Sequence, residues 1–350
     1  MASEEEYMRL CIELARKGMG YVAPNPMVGA VIVCNGEVIG SGYHQKFGEA
    51  HAEVNAIASV ENKALLKQST MYVNLEPCSH YGKTPPCALA IAEAGIPRVV
   101  IGNKDPFAKV NGSGMELLKD KGVEVVCGVL ERECKDLNKR FFTFHTKRRP
   151  YITLKWAQSA DGFVDGKRIS ADDEPIQISN EETKIDLHRM RAEETAILVG
   201  TTTAMLDNPR LTVRYCEGPS PVRILIDRLL KIPTTYHLFD GTVRTIVFTE
   251  QEDAEPMPNV TYKKINFSDN PFRQVLDALY DENLISLIVE GGTATHNSFL
   301  RQNLWDEIRV ETNEALQIDE GILAPHVPSS KMVSEKKFGN NVIRRYLNEG

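Results

Sequence analysis

Gly29-Ala-Val-Ile-Val33 and Val38-Ile-Gly-Ser-Gly42 flank Cys34-Asn35-Gly36-Glu37, and this stretch decides how the first part of the chain folds. Asn-Gly between two apolar runs predicts a tight hairpin, because both turn positions require a positive φ. Upstream, Tyr7 to Lys17 carries Leu10, Ile12, Leu14 and Ala15 at helical spacing. Downstream, helix and strand patterns alternate. Helices are expected at about His51 to Ser59, Pro86 to Ala94 and Ser113 to Lys121. Strands are expected at Thr70 to Leu75, Arg98 to Gly102 and Val123 to Val126. This alternation predicts an α/β unit with a largely parallel sheet covered on both faces.

The chain has 350 residues, which at roughly 150 residues per domain suggests two domains. Thr146-Lys-Arg-Arg-Pro150 is short and basic and ends in proline, so it is taken as the boundary between domains at 1–146 and 150–350. The second part is again α/β. Its expected strands are Tyr151 to Trp156, Ala196 to Gly200, Val222 to Asp227, Thr245 to Thr249, Ser286 to Glu290 and Glu307 to Thr312. Its expected helices are Glu181 to Arg191, Pro271 to Glu282 and about Thr295 to Gln302. Glu252 to Asn259 reads as a loop, and Asn313 to Lys337 carries no clear pattern.

Hydrophobic residues at 42% and charged residues at 25% are ordinary globular values, which sets aside disorder, collagen and coiled coil. No apolar run approaches the ~20 residues that span a bilayer. The acidic start, Met-Ala-Ser-Glu-Glu-Glu, lacks the basic and apolar order of a secretory leader, so a cytoplasmic protein with no membrane partner is expected. A net charge of -7 argues against a broad nucleic-acid surface. Seven scattered cysteines point to metal or catalytic use of a subset rather than to a disulfide scaffold.

The chemistry begins at His51-Ala52-Glu53 and continues at Pro77-Cys78 and Cys87. One His and two Cys supply three ligands to zinc and leave the fourth tetrahedral position for water. Zinc lowers the pKa of that water, and Glu53 is placed to shuttle its proton to a departing amine. Residues i and i+2 lie about 200° apart on a helix. His51 and Glu53 therefore share a site only in a first helical turn, with the metal beyond the helix end. The same geometry is expected for Cys87, and two helix N-termini aimed at one point favour both thiolates. Eight residues separate the cysteines (79–86), where the nucleobase deaminase pattern has two. On spacing alone, a structural zinc with His44 or His80 as fourth ligand, or no metal, stays open.

The string Cys78-Ser-His-Tyr-Gly-Lys-Thr-Pro-Pro-Cys87, with His51-Ala-Glu53 and Asn25-Pro-Met-Val-Gly29, resembles the bifunctional pyrimidine deaminase/reductase family of riboflavin biosynthesis, which has this longer loop. The resemblance implies a cytidine-deaminase-like three-layer α/β/α domain. It implies His51, Cys78 and Cys87 as Zn2+ ligands, Glu53 as the proton shuttle, and Asn25, His44, His80 and Lys83 around the pyrimidine and its phosphate.

In the second part no Gly-x-Gly-x-x-Gly follows a strand. Four strings stand out instead: Thr153-Leu-Lys-Trp-Ala-Gln-Ser-Ala-Asp-Gly162, Ala196-Ile-Leu-Val-Gly-Thr-Thr-Thr-Ala-Met-Leu-Asp-Asn-Pro209 with its polar loop, Pro221-Val-Arg-Ile-Leu-Ile-Asp227, and Ile288-Val-Glu-Gly-Gly-Thr-Ala294. The last, a strand, two glycines and a helix start, is suited to cradling phosphate with main-chain amides. All four resemble the reductase domain of the same family, which is similar in fold to dihydrofolate reductase and uses NADPH. By position the resemblance implies Ala157, Gln177, Thr203, Asp207, Gly292, Thr293, Ala294, Thr295, His296, Asn297 and Ser298 as cofactor contacts. It implies Lys155, Arg191, Leu211, Arg214 and Glu290 as substrate contacts, with Asp207 where the two meet.

Where the family has Gly-x-Ser-x-Trp-Ile-Thr, this chain reads Asp172-Asp-Glu-Pro-Ile-Gln-Ile-Ser179, without the tryptophan. The expected reactions are deamination of a diaminopyrimidinone ribose phosphate and NADPH reduction of its ribosyl group to ribityl. The partner is then a phosphorylated pyrimidine, with a homo-oligomer formed through the reductase domain. Two alternatives are a deaminase with a degenerate or regulatory second half, and a nucleotide or tRNA deaminase with an unrelated appendage.

Overall fold

A computed structural model describes residues 2–81, 85–107 and 110–349. The chain forms two compact units, one ending at Arg148 and the other starting at Arg149.

The first unit runs α1 (Glu4–Arg16), β1 (Gly29–Cys34), β2 (Glu37–Tyr43), α2 (Ala52–Ser59), β3 (Thr70–Val73), α3 (Cys87–Glu93), β4 (Arg98–Ile101), α4 (Ser113–Asp120), β5 (Glu124–Cys127), α5 (Glu131–Leu137) and α6 (Lys139–Lys147). Its sheet has the order β2-β1-β3-β4-β5. β1 is antiparallel to both β2 and β3, and β3, β4 and β5 are parallel. All six residues of β1 are buried, so both faces of the sheet are covered at its middle. One apolar cluster joins α2, α3 and α4 to the sheet through Ala52, Ala56, Ile91 and Leu118. The other joins α1 through Met8, Cys11 and Ala15 to Val31 and Tyr72. A Cβ at Gly42 would stand 2.4 Å from the Ala56 nitrogen, so α2 lies against β2 only because position 42 has no side chain. The expected linker is partly helical, because Thr146 and Lys147 complete α6, and Arg148 stops the helix at φ 51°. α5 and α6 had no expectation attached to them.

The second unit runs β6 (Tyr151–Ser159), β7 (Phe163–Gly166), α7 (Glu181–Glu193), β8 (Ala196–Gly200), α8 (Thr201–Asp207), β9 (Val222–Ile226), β10 (Thr245–Thr249), β11 (Val260–Lys264), α9 (Pro271–Asp281), β12 (Ser286–Gly291), α10 (Thr293–Arg301), β13 (Glu307–Asn313), β14 (Gly321–Leu323), β15 (Lys331–Phe338) and β16 (Asn341–Leu347). The large sheet has the order β11-β10-β9-β8-β12-β6-β13-β16-β15. Its strands are parallel from β11 to β13, and β16 and β15 add antiparallel at one edge. Fully buried strands such as β8 read as continuous apolar runs for this reason. Arg149 anchors the start of the unit through two hydrogen bonds to Asp306 at 2.5 and 2.9 Å, and Asp306 also accepts the Ile152 N–H at 3.0 Å.

Two expectations need correction. The polar loop after Gly200 is the helix α8; its three threonines are poor helix formers, and Thr201 Oγ1 donates to the Ile226 carbonyl at 2.7 Å to hold the turn against β9. The patternless stretch after Asn313 contains β14 and β15, which the charged, exposed sequence of Lys331–Phe338 does not betray.

Candidate active sites

In the first unit His51 is the N-cap of α2, with no side-chain cap bond, and Glu53 lies in the first turn. Cys87 opens α3 after Pro86, and Cys78 lies in the loop after β3. The ligand atoms of His51, Cys78 and Cys87 all lie within 4.8 Å of one another. His51 Nδ1 is 3.2 Å from Cys87 Sγ and 3.7 Å from Cys78 Sγ. A tetrahedral ion with ~2.3 Å bonds to sulfur and ~2.0 Å to nitrogen places its ligand atoms about 3.5–3.8 Å apart, so this donor set fits one zinc. The Cys87 N–H donates to Cys78 Sγ at 3.3 Å, a helix N-terminus supporting a thiolate. Hydrogen bonding from Cys87 holds the Cys78 thiol down to about 4, and the same pairing pushes Cys87 up. Glu53 is 3% exposed, and its burial raises its carboxyl to about 7.

The neighbours separate a site with three protein ligands from one with four. His44 packs edge-on to His51 at 5.4 Å between centroids. Both of its nitrogens are engaged elsewhere: Asn25 Nδ2 donates to Nε2 at 3.1 Å, and Nδ1–H donates to the Ala50 carbonyl at 3.0 Å. His80 lies edge-on to Phe107 at 6.1 Å. Among the described residues neither joins the ligand cluster. Lys83 lies outside the described residues. Sequence reading missed Glu76, which is 3% exposed. Its Oε2 accepts the Asp105 and Gly112 N–H groups at 3.1 and 3.0 Å, and its Oε1 those of Gly114 and Met115 at 3.0 and 3.2 Å. It thereby fixes the start of α4 behind Pro77 and Cys78. A lone buried Glu before Pro-Cys gives no sign of that role in sequence.

In the second unit, α8 follows β8 and α10 follows β12, and these strands are neighbours. The N-termini of α8 and α10 therefore meet at one end of the sheet. Thr203 sits against the glycines: a Cβ would stand 3.0 Å from its side chain at Gly291 and 2.9 Å at Gly292. Position 200 would likewise meet Thr295 Oγ1 at 2.7 Å. The glycines thus allow the close approach of the two turns. Gly292 caps α10 with no side-chain bond, which leaves its first main-chain N–H groups for an anion and fits a dinucleotide phosphate. Ala294 is exposed, Asn297 half-buried, and Ser298 Oγ donates to the Ala294 carbonyl at 2.9 Å. Thr293 Oγ1 donates to the Leu323 carbonyl at 3.0 Å. His296 turns inward instead. It is 2% exposed, and its Nε2–H is shared between the carbonyls of Lys155 and Val289 at 3.1 and 3.0 Å, so its ring ties β6 to β12 and is closed to a ligand. Burial lowers it to about 4.

Asp207 ends α8 and pairs with Arg168, which sequence reading missed; Arg168 Nε also donates to Asp165 at 2.6 Å. Gln177 is exposed, its amide donating to the Ser179 carbonyl and accepting from Lys184 Nζ, each at 3.1 Å. Ala157 is half-buried on β6. Between α7 and the sheet lies a buried charged layer. Arg191 holds Glu290 by two bonds of 2.9 and 2.7 Å. The cations Arg191 and Lys155 outweigh the burial of Glu290 and keep its carboxyl at about 2. Lys155 is lowered by its own burial. Leu211, buried at φ 53°, begins the segment that carries Arg214. Lys155, Arg191 and Glu290 are thus gathered in one place, and His188, which holds Arg214 from α7, was not read from the sequence.

Residues 1–103 match the cytidine and deoxycytidylate deaminase zinc-binding region, and residues 150–313 match the RibD C-terminal domain. A riboflavin biosynthesis protein RibD of Aquifex aeolicus is 42% identical over 311 residues, covering 88% of this chain and 86% of that protein. The Escherichia coli RibD is 35% identical over 324 residues, covering 88% and 86%. A crystal structure of a diaminohydroxyphosphoribosylaminopyrimidine deaminase/5-amino-6-(5-phosphoribosylamino)uracil reductase from Thermotoga maritima has a TM-score of 0.89 to this chain, with 37% identity and 98% of each chain covered.

Proposed function

The chain belongs to the RibD family of bifunctional riboflavin-biosynthesis enzymes, and we propose how its residues divide the deaminase and reductase reactions between the two units. The single observation that carries the first half is the cluster His51, Cys78 and Cys87, with buried Glu53 in the first turn of the helix that His51 caps.

In this reading His51, Cys78 and Cys87 hold zinc. Bound there, zinc supplies activation of water for hydrolysis at neutral pH. Glu53, raised to about 7 by burial, accepts a proton and returns it to the amine that leaves the pyrimidine ring, with both carboxyl states accessible near neutrality. Asn25 and His44 form a neutral hydrogen-bonded wall for the ring. His80 is assigned to the substrate side of the same pocket, and Lys83 is assigned to the substrate by the family resemblance alone.

In the second unit the reduced dinucleotide, proposed to be NADPH, supplies hydride to the ribosyl carbon. The start of α10, with Thr203, Ala157, Gln177 and Asp207, is assigned to the dinucleotide. His296 contributes only its main chain to that run. Lys155, Arg191, Leu211, Arg214 and Glu290 are assigned to the substrate, a 5′-phosphorylated ribosylaminopyrimidine. Asp207, steered by Arg168, is assigned to the contact between the two.

The proposal includes a cytoplasmic homo-oligomer formed through the second unit, for which the edge strand β15 offers unpaired main-chain groups beside the exposed Met332 and Val333. The functional test follows two signals on one zinc-loaded preparation. The diaminopyrimidinone ribose phosphate should release ammonia without NADPH, and the deaminated product should then oxidise NADPH. Ammonia release from polynucleotides but not from this substrate would refute the reading.

A further inference from the structure

His188 lies on α7, 3% exposed, one turn before Arg191. Its Nδ1 accepts the Arg214 N–H at 2.9 Å, so Nδ1 carries no proton. A neutral imidazole has one N–H, which is then on Nε2. Nε2 faces Arg191 Nη1 at 3.5 Å, and a guanidinium nitrogen only donates. The contact therefore sets two donors side by side. Arg191 Nη1 also reaches the Thr212 carbonyl at 3.2 Å, but the His188 Nε2–H meets no acceptor in this pair. The imidazolium form is no remedy, since it would turn a second N–H toward that of Arg214. Burial and the two arginines accordingly hold His188 at about 4.

One oxygen about 2.9 Å from each would satisfy both of these donors, which stand 3.5 Å apart. The surroundings select for negative charge. The Arg214 guanidinium lies against the Tyr215 ring, at 5.9 Å, and has no carboxylate partner among the described residues. Lys155 adds a second cation to the layer, whereas the charge of Arg191 is already matched by Glu290. Tyr215 lies edge-on to His188 at 4.6 Å and is itself exposed, so a solvent-facing side chain packs against this donor pair.

We propose that His188 determines specificity in the reductase, its Nε2–H joining Arg191 Nη1 and the Arg214 guanidinium in holding an oxygen of the pyrimidine substrate's 5′-phosphate. The inference rests on the reductase reading above and adds to it a neutral donor whose tautomer is fixed by the loop that carries Arg214.

The test pairs two amides. In His188→Asn the side-chain oxygen can replace Nδ1 and keep the Arg214 loop, but nothing replaces Nε2–H. In His188→Gln the amide nitrogen reaches the Nε2 position. Binding of the phosphorylated and dephosphorylated pyrimidine, and of inorganic phosphate, is measured calorimetrically on the full chain. The wild type and His188→Gln should favour the phosphorylated form by about tenfold or more, and His188→Asn should lose most of that preference. The KM for NADPH should stay the same in all three. Retention of the preference by His188→Asn, or its loss in His188→Gln, would overturn the assignment. Inorganic phosphate binding as tightly as the substrate would overturn its substrate-specific form. The same difference between the two variants in a protein that oxidises no NADPH would instead fault the reductase reading and support the phosphate contact.

Discussion

Asn25 Nδ2 donates to His44 Nε2 at 3.1 Å, and this bond fixes His44 as the neutral tautomer whose single N–H, on Nδ1, donates to the Ala50 carbonyl. The pair is thereby withdrawn from metal ligation and left as a wall beside His51. Asn25→Ala should free the His44 ring and lower kcat/KM for deamination by roughly 10- to 100-fold, at one to three kcal/mol for an unpaired buried group. Zinc content and NADPH oxidation on the deaminated substrate should be unchanged. Loss of zinc in this variant, read by metal analysis, would show instead that His44 acts through the ligands.

Arg168 pairs with both Asp165 and Asp207 and fixes the carboxylate at the end of α8. Arg168→Ala should weaken reductase turnover several-fold while ammonia release stays at the wild-type rate. Asp207→Asn should slow NADPH oxidation further than Arg168→Ala does, because it alters the group itself. Steady-state rates for both half-reactions check this, and equal ammonia losses in both variants would contradict it.

His296 gives a pH dependence of stability with a definite sign. Its folded value is about 4, below the ordinary 6.5, because burial opposes the charged ring. The unfolded chain therefore binds the proton first as pH falls. The stability this histidine contributes is present above about pH 6.5 and is lost between about 6.5 and 4, by up to ~3 kcal/mol. His296→Gln retains a donor for the carbonyls of Lys155 and Val289 without the titration. Denaturant unfolding at pH 7.5 and 4.5 should show a smaller acid loss in the variant than in the wild type, and equal losses would refute the assignment.

Arg149 and Asp306 are 8% and 7% exposed in their side chains and meet through two bonds. Asp306→Ala would leave a buried guanidinium and the Ile152 N–H without their acceptor. It should cost about 3–5 kcal/mol in unfolding of the second unit. A loss below 1 kcal/mol would contradict that account.

Much of the fold was legible because buried parallel strands such as Ala196–Gly200 are continuous apolar runs and the helices between them carry one apolar stripe. α7 kept its helical length in sequence but hid its purpose, since the face it buries includes Thr183, His188 and Arg191 rather than an apolar row. β15 was illegible because its residues are exposed almost throughout and so show no alternation. The zinc cluster could be read, as soft ligands beside helix starts are rare. Glu76, Arg168 and His188 could not, because each acts by accepting or donating to groups that are distant in sequence.

In the proposed division of labour one unit deaminates through Glu53 beside His51, Cys78 and Cys87, and the other carries out the reduction. The most direct measurement is ammonia release and NADPH oxidation by Glu53→Gln, each on its own substrate, in protein shown to carry zinc. The account predicts a loss of ammonia release of about 10²- to 10⁴-fold, with NADPH oxidation of the deaminated substrate intact. Undiminished ammonia release, or a parallel loss of both activities in a folded, zinc-loaded variant, would contradict it.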